Sequence, residues 1–177
     1  MTICRVAFAL VLLVVLTAFT GCGGDDETTT TTVTETETTA SEAPAGPAVA
    51  KLQEVMTSLG YYSGPIDGIY GDATTEGVKA MQEDLGVTVD GIYGPETHAA
   101  LSEKASDKAE SIVSQVQTVL AEYGYYDGEI DGDYGSETEA AVMELQEDLG
   151  VTADGRVGPE TVDAFNEAVA NGTITTT

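Results

Sequence analysis

The strongest constraint on this chain is that it repeats itself. From Leu52 onward it matches its own sequence 64 residues further on. Gly60-Tyr61-Tyr62 returns as Gly124-Tyr125-Tyr126, and Gln82-Glu83-Asp84-Leu85-Gly86-Val87-Thr88 returns as Gln146-Glu147-Asp148-Leu149-Gly150-Val151-Thr152. No gap is needed between residues 52–101 and 116–165, and about half of the aligned positions are identical. A fixed period of this kind marks two tandem copies of one supersecondary unit. Each copy contains two turns of the pattern Asp-Gly-x-x-Gly-x-x-Thr, starting at Asp67 and Asp90 in the first copy and at Asp131 and Asp154 in the second.

The segments between the turns have helical spacing. Leu52, Val55, Met56 and Leu59 follow i, i+3, i+4, i+7, and Gly60 supplies a left-handed end. Thr74 opens a second helix with Val78, Met81 and Leu85 on one face and Gly86 as the stop. Thr97 opens a short third helix toward Leu101, with Pro95 just ahead. In the second copy Ala109, Ile112, Val113, Val116, Val119, Leu120 and Tyr123 keep the helical period, and Asp107 with Glu110 forms a capping pair. A break or kink is expected near Ser106. No Gly or Pro separates Thr97 from Tyr123, so a single helix joining the copies is the other reading. The fold class is therefore all-α, with three small helices in each copy.

The turns have a structural explanation that needs no ligand. Glycine permits positive φ, Asp bonds backbone amides in an Asx-type turn, and Thr suits the N-cap of the next helix. Calcium binding is an alternative that the spacing opposes. If Asp127 is position 1 of an EF-hand loop, position 12 is Thr138, with Glu139 one residue late. In the first copy Ser63 and Pro65 stand at positions 1 and 3.

The start of the chain reads differently. Val6–Phe19 is an apolar run broken only by Thr17, shorter than the ~20 residues a membrane span needs but suited to a signal peptide. Phe19-Thr20-Gly21-Cys22 follows, and it resembles a bacterial lipobox with Phe19 where Leu is usual. The resemblance implies cleavage of a lipoprotein signal peptide (residues 1–21) and lipid attachment at Cys22, which anchors the chain to a membrane. Cys4 falls in the removed part, so Cys22 has no disulfide partner in the mature chain. Residues 22–48 form a Thr- and Glu-rich tether with too little apolar content to fold, reaching ~25–30 Å.

With net charge −25, the chain lacks the clustered Lys and Arg that nucleic acid requires. Its one histidine, His98, reads as an exposed helical residue. Zinc needs three or four ligands, so no metal site, cofactor or catalytic residue is expected. The chain reads as a non-enzyme.

The helix ending Leu59-Gly60-Tyr61-Tyr62, the Ile66-Asp67-Gly68-x-Tyr70-Gly71-x-x-Thr74 turn, the apolar-Gln pair in helix two and the second Asp-Gly turn together resemble the peptidoglycan-binding domain type 1. The resemblance spans roughly residues 49–102 and 113–168. Met81 and Leu145 stand where the family commonly has Phe. It implies small three-helix domains, at residues 49–105 and 106–170, that bind cell-wall peptidoglycan, with residues 171–177 as a disordered tail. The expected ligand residues flank the first turns: Tyr62, Asp67 and Tyr70, and Tyr126, Asp131 and Tyr134. Aromatic rings suit sugar faces and alkyl stems, and carboxylates suit amines and amides. The expected setting is extracytoplasmic, lipid-anchored and facing the wall. An alternative is an acidic scaffold whose partner is a cell-wall enzyme.

Overall fold

The structure is a computed structural model that describes residues Ala45–Thr177. The signal segment, Cys22 and nearly all of the tether lie outside the described residues. Five helices follow one another: α1 Gly46–Leu59, α2 Asp72–Leu85, α3 Pro95–Glu122, α4 Ser136–Leu149 and α5 Pro159–Ala170. α1 begins three residues ahead of the expected boundary at 49, and Ala45 and Ala48 are already buried.

Both readings of the junction hold in part. The third helix of copy one runs on into the first helix of copy two as the 28-residue α3, but Ala105 interrupts it with φ −155° and ψ 70°. The apolar stripes on either side of that residue face different neighbours. Leu101 is fully buried before the kink, and Ala109, Ile112 and Val113 are fully buried after it. α1 and α2 end at glycines in the left-handed conformation, as the sequence implied for Gly60 and Gly86, and α4 ends in the same way at Gly150.

The helix starts differ from the expectation. Gly71, Gly94, Gly135 and Gly158 occupy the N-cap positions, and the threonines sit inside the first turn. Thr74 Oγ1 donates instead to the carbonyl of Ile69 at 2.8 Å. Its hydroxyl fastens the helix to the preceding turn rather than capping it.

The two copies share one hydrophobic core. α1 packs chiefly on α3, and Ala48, Val49 and Leu52 line the same apolar pocket as Ile112, Val116 and Leu120 from the second copy. The pairing is symmetrical in sequence. Val157 N donates to Tyr93 O at 3.0 Å in an isolated antiparallel bridge, and these two residues are equivalent in the repeat. A Cβ on Gly94 would meet the Arg156 side chain, and one on Gly158 would meet Ile92, again equivalent positions exchanged. Self-complementary contacts of this kind define a two-fold relationship. The copies therefore form an internal pseudo-dimer. The tail is also engaged: Thr177 N donates to Glu122 O at 3.2 Å, and Ile174 packs against the core.

Candidate functional site: the grooves beside the first turns

Each Asp-Gly turn is built on a buried glutamine. Gln53, on α1, is fully buried. Its Oε1 accepts from Asp67 N at 3.0 Å and Gly68 N at 2.9 Å. Its Nε2 shares two hydrogens among Asp67 Oδ1 at 2.8 Å, Thr74 Oγ1 at 3.0 Å and Ile69 O at 3.1 Å. Gln82, Gln117 and Gln146 hold the turns at Asp90, Asp131 and Asp154 in the same way. A buried amide is costly unless it is bonded, so each glutamine needs its turn as much as the turn needs it. Among the described residues no buried side-chain N or O lacks a partner.

This arrangement sets the chemistry of the turn aspartates. Asp131 is held below the ordinary carboxylate range by the Gln117 amide and then by the Asp133 N–H. At Asp67 burial pushes upward, but the Gln53 amide and the Ile69 N–H together prevail and its pKa is also lowered. Both carboxylates are ionised at neutral pH and face inward through Oδ1.

The six expected ligand residues separate into two groups. Tyr62 with Asp67 meets Gln53, and Tyr126 with Asp131 meets Gln117. Tyr70 and Tyr134 do not join them. They are 2% and 5% exposed, and their hydroxyls donate to Gly91 O and Gly155 O at 3.0 Å. Burial pushes both phenols well above their usual value. These two side chains brace the first turn of each copy against the second turn and are enclosed there, while Tyr62 and Tyr126 are little more exposed, at 7% and 8%. This corrects the expectation for Tyr70 and Tyr134.

His98 is the second correction. It is 5% exposed, not a surface residue. Its ring lies 6.5 Å from that of Tyr93 and 6.2 Å from that of Tyr134, and Nδ1 meets the Tyr93 hydroxyl at 3.3 Å. Nε2 lies 3.7 Å from Asp133 Oδ1. Burial lowers the imidazole pKa, while Asp133 and Glu110 pull the other way. The position belongs to the contact between copies, where a helical residue is buried although its own copy alone would leave it at the surface.

One of the remaining candidates, Tyr126, lines a groove of about 470 Å³ in copy two. Tyr125, Tyr126, Asp127 and Gly128 form one side, and Glu137, Ala140, Ala141 and Glu144 of α4 form the other. Gly128 is required there: a Cβ would lie 2.7 Å from the Tyr126 hydroxyl. Tyr126 donates to Glu129 O at 2.8 Å, and Tyr125 donates to Asp148 Oδ2 at 3.1 Å. Burial and the Asp148 contact push the Tyr125 phenol up to about 12. The groove thus joins aromatic rings to carboxylates that have no cation among its lining residues. Among the described residues no group of three or more His, Cys, Asp or Glu side chains is placed to hold a metal ion.

Comparison with known proteins follows the duplication. The family model described as "Putative peptidoglycan binding domain" matches twice, over residues 45–101 and 110–165. The chain is 34% identical over 147 residues to a "Probable N-acetylmuramoyl-L-alanine amidase" of Bacillus licheniformis, covering 66% of this chain and 41% of that one. It is 34% identical over 83 residues to a "Spore cortex-lytic enzyme" of Halalkalibacterium halodurans, covering 47% of this chain and 25% of that one. It is 47% identical over 51 residues to a "Putative OxPP cycle protein OpcA" of Synechocystis, covering 29% of this chain and 11% of that one. The chain therefore spans less than half the length of each of these relatives. No solved structure matches it. The matched family is a binding module, and wall enzymes among the relatives suggest an extracytoplasmic, cell-wall-associated location. With both copies matched across most of the folded region, the chain belongs to the peptidoglycan-binding domain family, present here as a tandem pair.

Proposed function

We propose that this chain is a non-catalytic peptidoglycan-binding protein, tethered to a membrane through lipid on Cys22, that grips the wall in the grooves beside its first turns. The observation that carries the reading is the groove of copy two, where Tyr125 and Tyr126 face Glu137 and Glu144 across a concave surface. Aromatic faces suit sugar rings, and carboxylates suit the amides and free amine of the stem peptides. Tyr126 lines this groove, Tyr62 takes the equivalent place in copy one, and Asp67 and Asp131 bond to the same glutamines as these tyrosines. The non-catalytic part is supported by His98, the one histidine of the sequence, which is enclosed by tyrosines. Co-sedimentation with purified insoluble peptidoglycan tests the binding. Retention at moderate salt is expected, and a folded protein left wholly in the supernatant overturns the reading. Cys22→Ser is expected to release the protein from membranes, and continued partition into detergent with the lipid fraction overturns the anchor.

A further inference from the structure

We propose that the second copy carries a binding site for a primary ammonium group, formed by Tyr125, Asp148 and Glu144, and that the first copy fills the equivalent place with its own Lys104. This rests on the peptidoglycan reading above and names the group that copy two takes from the wall, a free amine of a stem peptide.

The first copy shows what these residue types hold. Tyr61 donates to Asp84 Oδ2 at 2.6 Å. Lys104 on α3 brings its ammonium to both of them. Nζ pairs with Asp84, donates to the Tyr61 hydroxyl at 3.1 Å and stands 5.8 Å from the centre of the Tyr61 ring. An ammonium has three donors and no acceptor, so a carboxylate, a hydroxyl and an aromatic ring suit it together. Lys104 first, and then Tyr61, hold the Asp84 carboxyl below the ordinary range.

The second copy repeats the partners without the cation. Tyr125 donates to Asp148 Oδ2 at 3.1 Å, as Tyr61 does to Asp84. The residue 64 positions beyond Lys104 is Ala168 on α5, which carries no charge. Asp148 and Glu144 are exposed and stand four residues apart on α4, so they share one face. Burial, then Asp148 and Glu144, push up the phenol of Tyr125, which also lines the groove of copy two. Among the described residues no ion pair reaches Asp127, Glu137, Glu144 or Asp148. Three of these acids are particular to this copy, since Ser63, Ala73 and Ala80 stand where it has Asp127, Glu137 and Glu144. An external cation is therefore drawn to copy two, while the Asp84 carboxylate of copy one is already paired.

The test uses the whole chain and one probe in two forms, insoluble peptidoglycan before and after acetylation of its free amines. Acetylation removes the positive charge and leaves the polymer in place. The unsubstituted chain is expected to bind the unacetylated form ~10-fold more tightly, the size of an accessible ion pair joined to a cation–π contact. Ala168→Lys installs the internal cation of copy one and is expected to reduce the difference to two-fold or less. Asp148→Asn should do the same by removing the carboxylate. Ala168→Gln, similar in length but uncharged, should keep the preference. An unchanged helical circular dichroism spectrum establishes that each variant folds. Equal binding of the two forms by the unsubstituted chain overturns the ammonium site and leaves the peptidoglycan reading standing. Full preference persisting in Ala168→Lys or in Asp148→Asn also overturns the site, as does its collapse in Ala168→Gln. A folded chain retained by neither form overturns the peptidoglycan reading and this proposal with it.

Discussion

Val157 donates its N–H to the carbonyl of Tyr93, the residue 64 positions earlier that occupies the same place in the other copy. Equivalent residues paired antiparallel relate the copies by an approximate two-fold. The duplicated sequence is therefore folded as two halves of a symmetrical pair, and each half covers apolar surface that the other would otherwise expose.

The shared core predicts a single unfolding transition. Leu52 is 3% exposed on α1 and lines the pocket to which Val116 and Leu120 of the second copy contribute. Leu52→Ala is expected to destabilise by ~2–5 kcal/mol. Chemical denaturation should show one sharp transition moved to lower denaturant, with probes in both copies moving together. Two separate transitions, with only the first displaced, would show that the copies are independent.

The buried glutamines predict a sharp chemical preference. Gln53→Ala leaves the buried Gly68 N–H without its acceptor and removes the amide donor to Thr74 Oγ1, and ~1–3 kcal/mol is expected to be lost. Gln53→Glu is the more informative change. It keeps the shape but sets a second carboxylate against Asp67, 2.8 Å from the present Nε2 position. Like charge raises the new carboxyl's pKa in the folded state, so this variant should regain stability as pH falls through that raised value. Thermal melts of the two variants between pH 7 and pH 4 check it: only the Glu variant should recover.

His98 gives the chain a pH dependence near neutrality. Burial lowers its folded-state pKa below the ordinary 6.5, so the unfolded chain takes up a proton first as pH falls. Stability is full above about pH 6.5 and declines as pH drops through the unfolded value toward the folded one. His98→Val, which installs the residue that copy two has at Val162, should flatten this limb between pH 7 and pH 5. A second decline belongs to the turn carboxylates. Asp67, Asp90 and Asp131 are lowered, so their contribution is present above the ordinary 3.8 and disappears as pH falls below it. It should persist in the Val variant.

A paired substitution separates backbone conformation from crowding. Gly68 and Gly86 have φ of 70° and 73°, so alanine at either is strained by ~1 kcal/mol. At Gly86 the space around a Cβ is open, and that strain is the whole expected cost. At Gly68 a Cβ would stand 2.7 Å from the Gly46 carbonyl oxygen, which is backbone and cannot turn aside. Gly68→Ala should be the more destabilising by at least ~1 kcal/mol in equilibrium denaturation. Equal losses would mean that α1 yields at its first residue.

Much of the fold is legible in the sequence. The 64-residue period, the apolar spacing around Leu52 and Val78, and the glycine stops at Gly60 and Gly86 are local signals, and the helices follow them. The partnership between copies is not local. Nothing in the pattern around His98 tells that Asp133 and Tyr134 of the second copy will lie beside it, and nothing around Tyr70 or Tyr134 tells that each hydroxyl will reach the second turn of its own copy, 21 residues on. The glutamines left a fainter signal. A polar residue directly follows a core position at Leu52-Gln53, Met81-Gln82, Val116-Gln117 and Leu145-Gln146, one before each of the four turns. Matching the number of such pairs to the number of turns identifies them, whereas helical periodicity alone treats each as an unremarkable amide.

The continuity of α3 has a consequence for dilution. A symmetrical pair formed by separate chains dissociates when its concentration falls, and its fold is lost with it. Here the two halves are joined through Ala105 within one helix, so their encounter is unimolecular. The pairing equilibrium carries no concentration term, and a single molecule alone on a surface keeps the same fold as a molecule in a crowd.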